Sequence, residues 1–264
     1  MSRLDPCFRA LRARGEKALI PFITAGDPDL AATEALVLAL AEAGADAIEL
    51  GVPFSDPLAE GPTIQRASER ALASGTSLRR VIECVASLRK QLETPLILMG
   101  YTNNFLAMGA GPFSQAAARA GVDGLIVVDL PPEEGRAFYA EVKQAGIDPI
   151  LLAAPTTEAK RLEMLARETR GFLYFVSLTG VTGARNALSA TLEQELRAVR
   201  AISDVPVCVG FGVSTPEQAR ALAQHVDGVV VGSALIDRIE RAASREVAVE
   251  EAARFVSELK AALR

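Results

Sequence analysis

Eight short apolar runs, each bounded by Gly, Pro, Asp or Asn, alternate with segments of helical period along the 264-residue chain, and this alternation restricts the fold more than any other feature. The runs span 18–24, 47–51, 96–100, 124–129, 149–153, 172–177, 206–210 and 228–232. The helical segments between them span 30–43, 78–92, 113–120, 133–145, 158–168, 191–202 and 216–224. A strand that is always followed by a helix re-enters the sheet in the same direction, so the sheet is parallel and carries its helices outside. Ala43-Gly-Ala-Asp46, Ala120-Gly-Val-Asp123, Ala145-Gly-Ile-Asp148 and, more loosely, His225-Val-Asp-Gly228 repeat one helix-to-strand joint, with Gly supplying the left-handed turn at the helix end. One joint used four times and eight strands in about 250 residues fit a closed (β/α)8 barrel better than an open sheet. Further helices are expected at 6–14, where one would plug the barrel's bottom, at 64–73 after the second strand, and at 247–262. No linker or low-complexity stretch divides the chain, so residues 1–264 are read as a single barrel domain.

Half of the residues are apolar and 23% are charged, enough for a buried core and too little charge for disorder. The 28 basic and 33 acidic residues leave a net charge of −5 without a basic cluster, which argues against nucleic acid. The apolar runs fall well short of the roughly 18 residues that a membrane span needs, and the first residues are too charged for a signal peptide, so a soluble protein is expected. Cys7, Cys84 and Cys208 are odd in number and far apart, which favours reduced thiols and a cytoplasmic location. His225 is the only histidine, so no metal site of histidines can be assembled, and no G-x-S-x-G turn is present to support a Ser-His-Asp triad around it. Lys17, Lys90, Lys143, Lys160 and Lys260 all fall in expected helices or at outer edges, which excludes a Schiff-base lysine in the lumen.

In a barrel of this kind the chemistry sits at the C-terminal ends of the strands. Strand alternation in Ala47-Ile-Glu-Leu-Gly51 turns Ala47, Glu49 and Gly51 towards the barrel axis. A carboxylate there is expected to have a raised pKa, suited to giving and taking protons near neutral pH; the alternative is a structural carboxylate paired with a neighbouring donor. The following loop, Val52-Pro-Phe-Ser-Asp-Pro-Leu-Ala-Glu-Gly-Pro62, is long and stiffened by prolines, as a lid or partner-binding surface would be. Thr179-Gly-Val-Thr-Gly183, Gly210-Phe-Gly212 and Gly232-Ser-Ala234 follow the last three strands. Glycines there let backbone N–H groups approach an anion, and Ser233 can open a helix beneath it, so phosphate binding is expected.

Glu49, Pro53-Phe-Ser-Asp-Pro-Leu-Ala-Glu-Gly-Pro62, Asp129-Leu-Pro-Pro132, Ala154-Pro-Thr-Thr157, Ser177-Leu-Thr-Gly-Val-Thr-Gly183 and Gly210-Phe-Gly212 together resemble the tryptophan synthase alpha subunit family, over about residues 8–263. The resemblance implies a lyase that cleaves indole-3-glycerol phosphate to indole and glyceraldehyde 3-phosphate by carboxylate acid/base chemistry. It implies no cofactor in this chain and an alpha2beta2 assembly with a beta subunit that carries PLP. By the same resemblance Glu49 is the catalytic acid/base and Glu60 the second carboxylate, beside the indole N–H, while Phe22, Tyr174, Thr182, Gly183, Phe211, Gly212, Gly232 and Ser233 bind substrate. The chain departs from the family pattern at Glu60, where Asp is usual, at Thr102-Asn-Asn104, where Tyr-Asn-Pro is usual, and at Val128, where Pro is usual. A stand-alone lyase and a weakly active, phosphate-binding allosteric partner of a beta subunit remain the alternative readings.

Overall fold

The computed structural model describes residues 2–177, 190–210 and 212–264. Its strands are β1 (Ala18–Thr24), β2 (Ile48–Gly51), β3 (Leu96–Gly100), β4 (Gly124–Val127), β5 (Asp148–Pro149), β6 (Leu152–Ala153), β7 (Leu173–Val176), β8 (Val207–Gly210) and β9 (Gly228–Val231). All pair in parallel, in the order β5-β4-β3-β2-β1-β9-β8-β7-β6. The two ends of this order, β5 and β6, are neighbours in the chain, and that closes the sheet into a (β/α)8 barrel. Segment 149–153, expected as one strand, is therefore one stave in two pieces. Pro149 has no N–H to give, and the Leu151 N–H donates sideways to the Thr169 hydroxyl at 3.0 Å, so the ladder is interrupted between the pieces. Bonds from Ile150 N to Leu125 O and from Tyr174 N to Leu151 O still join the stave to both neighbours.

Around the staves lie α1 (Leu4–Arg14), α2 (Leu30–Glu42), α3 (Pro62–Ala73), α4 (Leu78–Leu88), α5 (Thr102–Leu106), α6 (Ala110–Ala120), α7 (Arg136–Gln144), α8 (Ala159–Glu168), α9 (Ala190–Ile202), α10 (Pro216–Ala223), α11 (Ser233–Arg241) and α12 (Arg245–Ala262). The period-2 alternation of the strands divides the core into two layers. Outward residues such as Leu19, Ile48, Leu98, Leu125 and Val229 pack under the helices. Inward residues Ala18, Ile20, Ala47, Ile97, Ile126 and Val230 fill the lumen together with Leu4, Phe8 and Leu11 of α1. Those three lie on one face of α1, at i, i+4 and i+7, so the helix seals the bottom of the barrel; Phe8 meets Phe172 with ring centroids 5.7 Å apart.

The repeated joint has a second function besides its turn. Gly44, Gly121 and Gly146 have φ between +86° and +104°, as the sequence pattern requires. The aspartate that follows caps the neighbouring stave: Asp46 accepts from Leu19 N at 2.8 Å, Asp123 from Leu96 N at 3.0 Å, and Asp227 from Val207 N at 3.0 Å. Each carboxylate also meets a cation, Lys260, Arg89 and Arg200 respectively. Lys260, expected at an outer edge, is only 4% exposed because Asp46 and Glu16 neutralise it beneath β1. Strand 124–129 stops two residues early, at Val127, and Asp129 instead accepts from the backbone N–H and hydroxyl of Thr102 at 2.7 and 2.8 Å.

Candidate active site

Glu49 is fully buried on β2, in register with Phe22 of β1 and Ile97 of β3, and its side chain is on the lumen side. Neither carboxylate oxygen has a hydrogen-bond partner among the described residues. A structural carboxylate would ordinarily have such a partner. Burial, reinforced by the negative charge of Glu60, pushes the Glu49 pKa from 4.5 up to about 8.

Two glycines let aromatic rings lie across the lumen mouth on either side of this acid. A Cβ on Gly51 would come within 2.6 Å of the Phe22 ring, and one on Gly210 within 2.3 Å of the Tyr174 hydroxyl. Burial and the fields of Glu49 and Glu60 all raise the Tyr174 pKa, so the phenol stays protonated as a donor.

Glu60 lies beside the end of β2, in a narrow cavity of about 20 Å³ that Phe22, Thr24, Gly51, Phe54, Met99 and Tyr101 also line. Burial raises its pKa to about 6. The loop that carries it is tied down at several points. Ala59 N donates to the Tyr101 hydroxyl at 2.9 Å, Phe54 stacks on Tyr101 at 5.0 Å, Asn104 Nδ2 donates to Pro53 O at 3.2 Å, and Gln65 Nε2 donates to Glu60 O at 2.9 Å. The Thr102-Asn-Asn104 departure from the family pattern forms a short helix, α5, which the sequence reading missed. Asn104 stabilises its start by accepting from Tyr101 N at 3.0 Å. Leu58, at the crest of the loop, is 90% exposed.

The end where the sequence leads one to expect phosphate is on the other side of Phe22, where a Cβ on Gly232 would contact that ring at 3.5 Å. Gly232 carries the carbonyl that accepts from Leu235 N and Ile236 N, and α11 starts at the exposed Ser233. Gly212 has φ +63° and open space about its Cα, a conformation that leaves room for a ligand. The structure therefore brings Glu49, Glu60, Phe22, Tyr174 and Gly232 around one mouth, with Ser233 beside it. Thr182, Gly183 and Phe211 lie outside the described residues.

Thr24 and Tyr101 were missed as lining residues. Thr24 is two positions beyond Phe22 on the same face of β1, so strand alternation pointed to it; it is buried, and its hydroxyl has no partner among the described residues. A roomier groove of about 420 Å³ between α7 and α8 holds Lys143 and Glu168, already paired with each other at 2.7 Å, and it lies outside the barrel.

Comparison with known proteins agrees with this geometry. The family model described as tryptophan synthase alpha chain matches residues 8–264. The tryptophan synthase alpha chain of Geobacter sp. (strain M21) is 53% identical over 260 residues, covering 98% of this chain and 97% of that one. That of Geobacter sulfurreducens is 51% identical, covering 100% and 99%. Tryptophan synthase subunit alpha from Legionella pneumophila str. Paris superposes with a TM-score of 0.93 at 41% identity, covering 100% of this chain and 98% of its own. A chain of M. tuberculosis tryptophan synthase in an open form gives 0.89 at 36%, covering 99% and 98%. The chain belongs to the tryptophan synthase alpha chain family, the lyases that in tryptophan biosynthesis cleave indole-3-glycerol phosphate to indole and glyceraldehyde 3-phosphate.

Proposed function

We propose that Glu49 and Glu60 carry this cleavage, with Phe22 and Tyr174 enclosing the indole and Gly212, Gly232 and Ser233 receiving the phosphate; Thr182, Gly183 and Phe211 complete the substrate site in this reading. The observation that supports it best is the Glu49 carboxyl, buried in the lumen without a partner among the described residues and, with its pKa raised to about 8, protonated at neutral pH. A protonated Glu49 gives its proton to indole C3, and the ring becomes an electron-poor indolenium. The carbon–carbon bond to the side chain then breaks, and its electron pair returns to the ring. The Glu49 carboxylate takes the proton of the adjacent side-chain hydroxyl as the aldehyde carbonyl forms, which restores the acid. Glu60, ionised above pH about 6, accepts from the indole N–H and stabilises the cation in a site where little water screens the attraction. No lysine imine or metal is needed.

The chain acts in this reading as one cytoplasmic domain, with a tryptophan synthase beta subunit as its partner and PLP held in that partner. The exposed Leu58 and the half-exposed Leu106, both at the mouth end, support docking there. Glu49→Gln keeps the shape and cannot shuttle a proton, so turnover should fall by roughly 100-fold or more while substrate still binds. Steady-state assays of indole formation and equilibrium binding of substrate to the variant test this. A turnover above about a tenth of wild type would remove Glu49 from the catalytic role.

A further inference from the structure

Helix α3 is the element inserted between Glu60 and the regular barrel helix α4, and it is stapled to α11, the helix that starts at Ser233. Arg70 on α3 holds two acids at once. Its Nε and one terminal nitrogen grip both oxygens of Asp27 at 2.7 and 2.8 Å, and the other terminal nitrogen donates to Glu240 of α11 at 2.7 Å. Arg66, one turn earlier, forks onto the same Glu240 at 2.9 and 2.7 Å, and Thr63 donates to Asp237 of α11 at 3.1 Å. Asp27 is only 3% exposed and follows β1 by three residues, close to Thr24 at the cavity wall. At its N-terminal end α3 holds Glu60 itself, through the Gln65 bond to the Glu60 carbonyl.

We infer that Arg70 is a positioning residue for the lyase reaction: it fixes the distance between the Glu60 carboxylate and the phosphate-binding start of α11 by locking α3 to both β1 and α11. The inference rests on the roles given above to Glu60 and Ser233. A planar guanidinium suits this task, because its rigid fork sets the angle between two acids as well as their separation. A misplacement of about 1 Å at a reacting group costs on the order of 100-fold, so a helix free to slide by that amount loses catalysis without losing the substrate.

The test uses the full-length protein and indole-3-glycerol phosphate. Arg70→Gln should lower kcat by roughly tenfold or more and leave KM within about threefold, at a temperature where circular dichroism shows the variant folded. Arg70→Lys keeps the charge but loses the fork, and should recover only part of the loss. Glu240→Ala removes only the α11 arm at a partly exposed position, so it remains informative if Arg70→Gln fails to fold; it should lower kcat by roughly threefold or more. The two losses should be non-additive in the double variant. A folded Arg70→Gln protein with kcat within twofold of wild type overturns the inference, as does an unchanged kcat in Glu240→Ala when Arg70→Gln cannot be purified. If Glu49→Gln were active, the site assignment itself would fail; an inactive Glu49→Gln beside normal Arg70 variants would defeat only the positioning role.

Discussion

Glu49 costs stability at the place where, in the proposed mechanism, it supports catalysis. Its folded pKa of about 8 lies above the ordinary 4.5, so between those values the native chain holds a proton that the unfolded chain has released. Stability contributed by this group is therefore present below pH 4.5 and is lost as pH rises through 8, by an amount on the order of 5 kcal/mol. Glu49→Gln has no such loss. Urea unfolding should find the variant more stable than wild type at pH 8, with a smaller gap at pH 5; an equal gap at both would contradict the raised pKa. In the proposed mechanism the same values set the activity profile, because the working form has Glu49 protonated and Glu60 ionised. The kcat/KM profile should be bell-shaped, with limbs near pH 6 and pH 8. Glu49 was legible from alternation alone. The Glu60 environment was not, since the cavity around it draws on β1, β2, β3 and α3. The extra methylene of Glu60 relative to aspartate extends the carboxylate by about 1.5 Å, and the loop holding it is pinned at Ala59 and Pro53. Glu60→Asp should therefore withdraw the charge from a fixed loop and lower kcat, by up to about tenfold; a gain in kcat would show that the loop is built for the shorter acid.

At the scale of elements, the strand and helix alternation was readable because each segment carries its own period and each joint its own glycine. The two-piece stave and α5 were not, and both failures have the same cause. The break at 149–153 depends on a hydroxyl from Thr169, and α5 depends on Asn104 reaching back to Tyr101, so each is decided by side-chain bonds that no periodicity encodes. The start of α11 supports a more local argument. Leucine at 233 would replace a hydroxyl at a positive helix end with bulk, and valine at 212 would impose a side chain on a residue with φ +63°. Ser233→Leu and Gly212→Val should each raise KM for indole-3-glycerol phosphate by roughly tenfold or more, the worth of a charge-assisted hydrogen bond. Unchanged KM in both would move the phosphate elsewhere.

The whole molecule divides its labour between two ends. Aspartate caps with their cations gather at the bottom, around Asp46, Asp123 and Asp227, while Glu49, whose carboxylate has no partner among the described residues, stands towards the mouth. Asp123 is 1% exposed and binds Arg89, Arg3 and the Leu96 N–H. Asp123→Ala would leave Arg89 buried beside no acid, and chemical unfolding should show a loss of about 3–5 kcal/mol with kcat little changed in the molecules that remain folded. The α1 plug carries a different consequence. With Leu4, Phe8 and Leu11 packed into the lower lumen, the described residues close the bottom of the vessel, so ligands come and go at the mouth, the end proposed above for a partner. Traffic is then last in, first out: nothing deeper in the lumen can depart past an occupant nearer the rim, and a fresh substrate must wait until the doorway is clear.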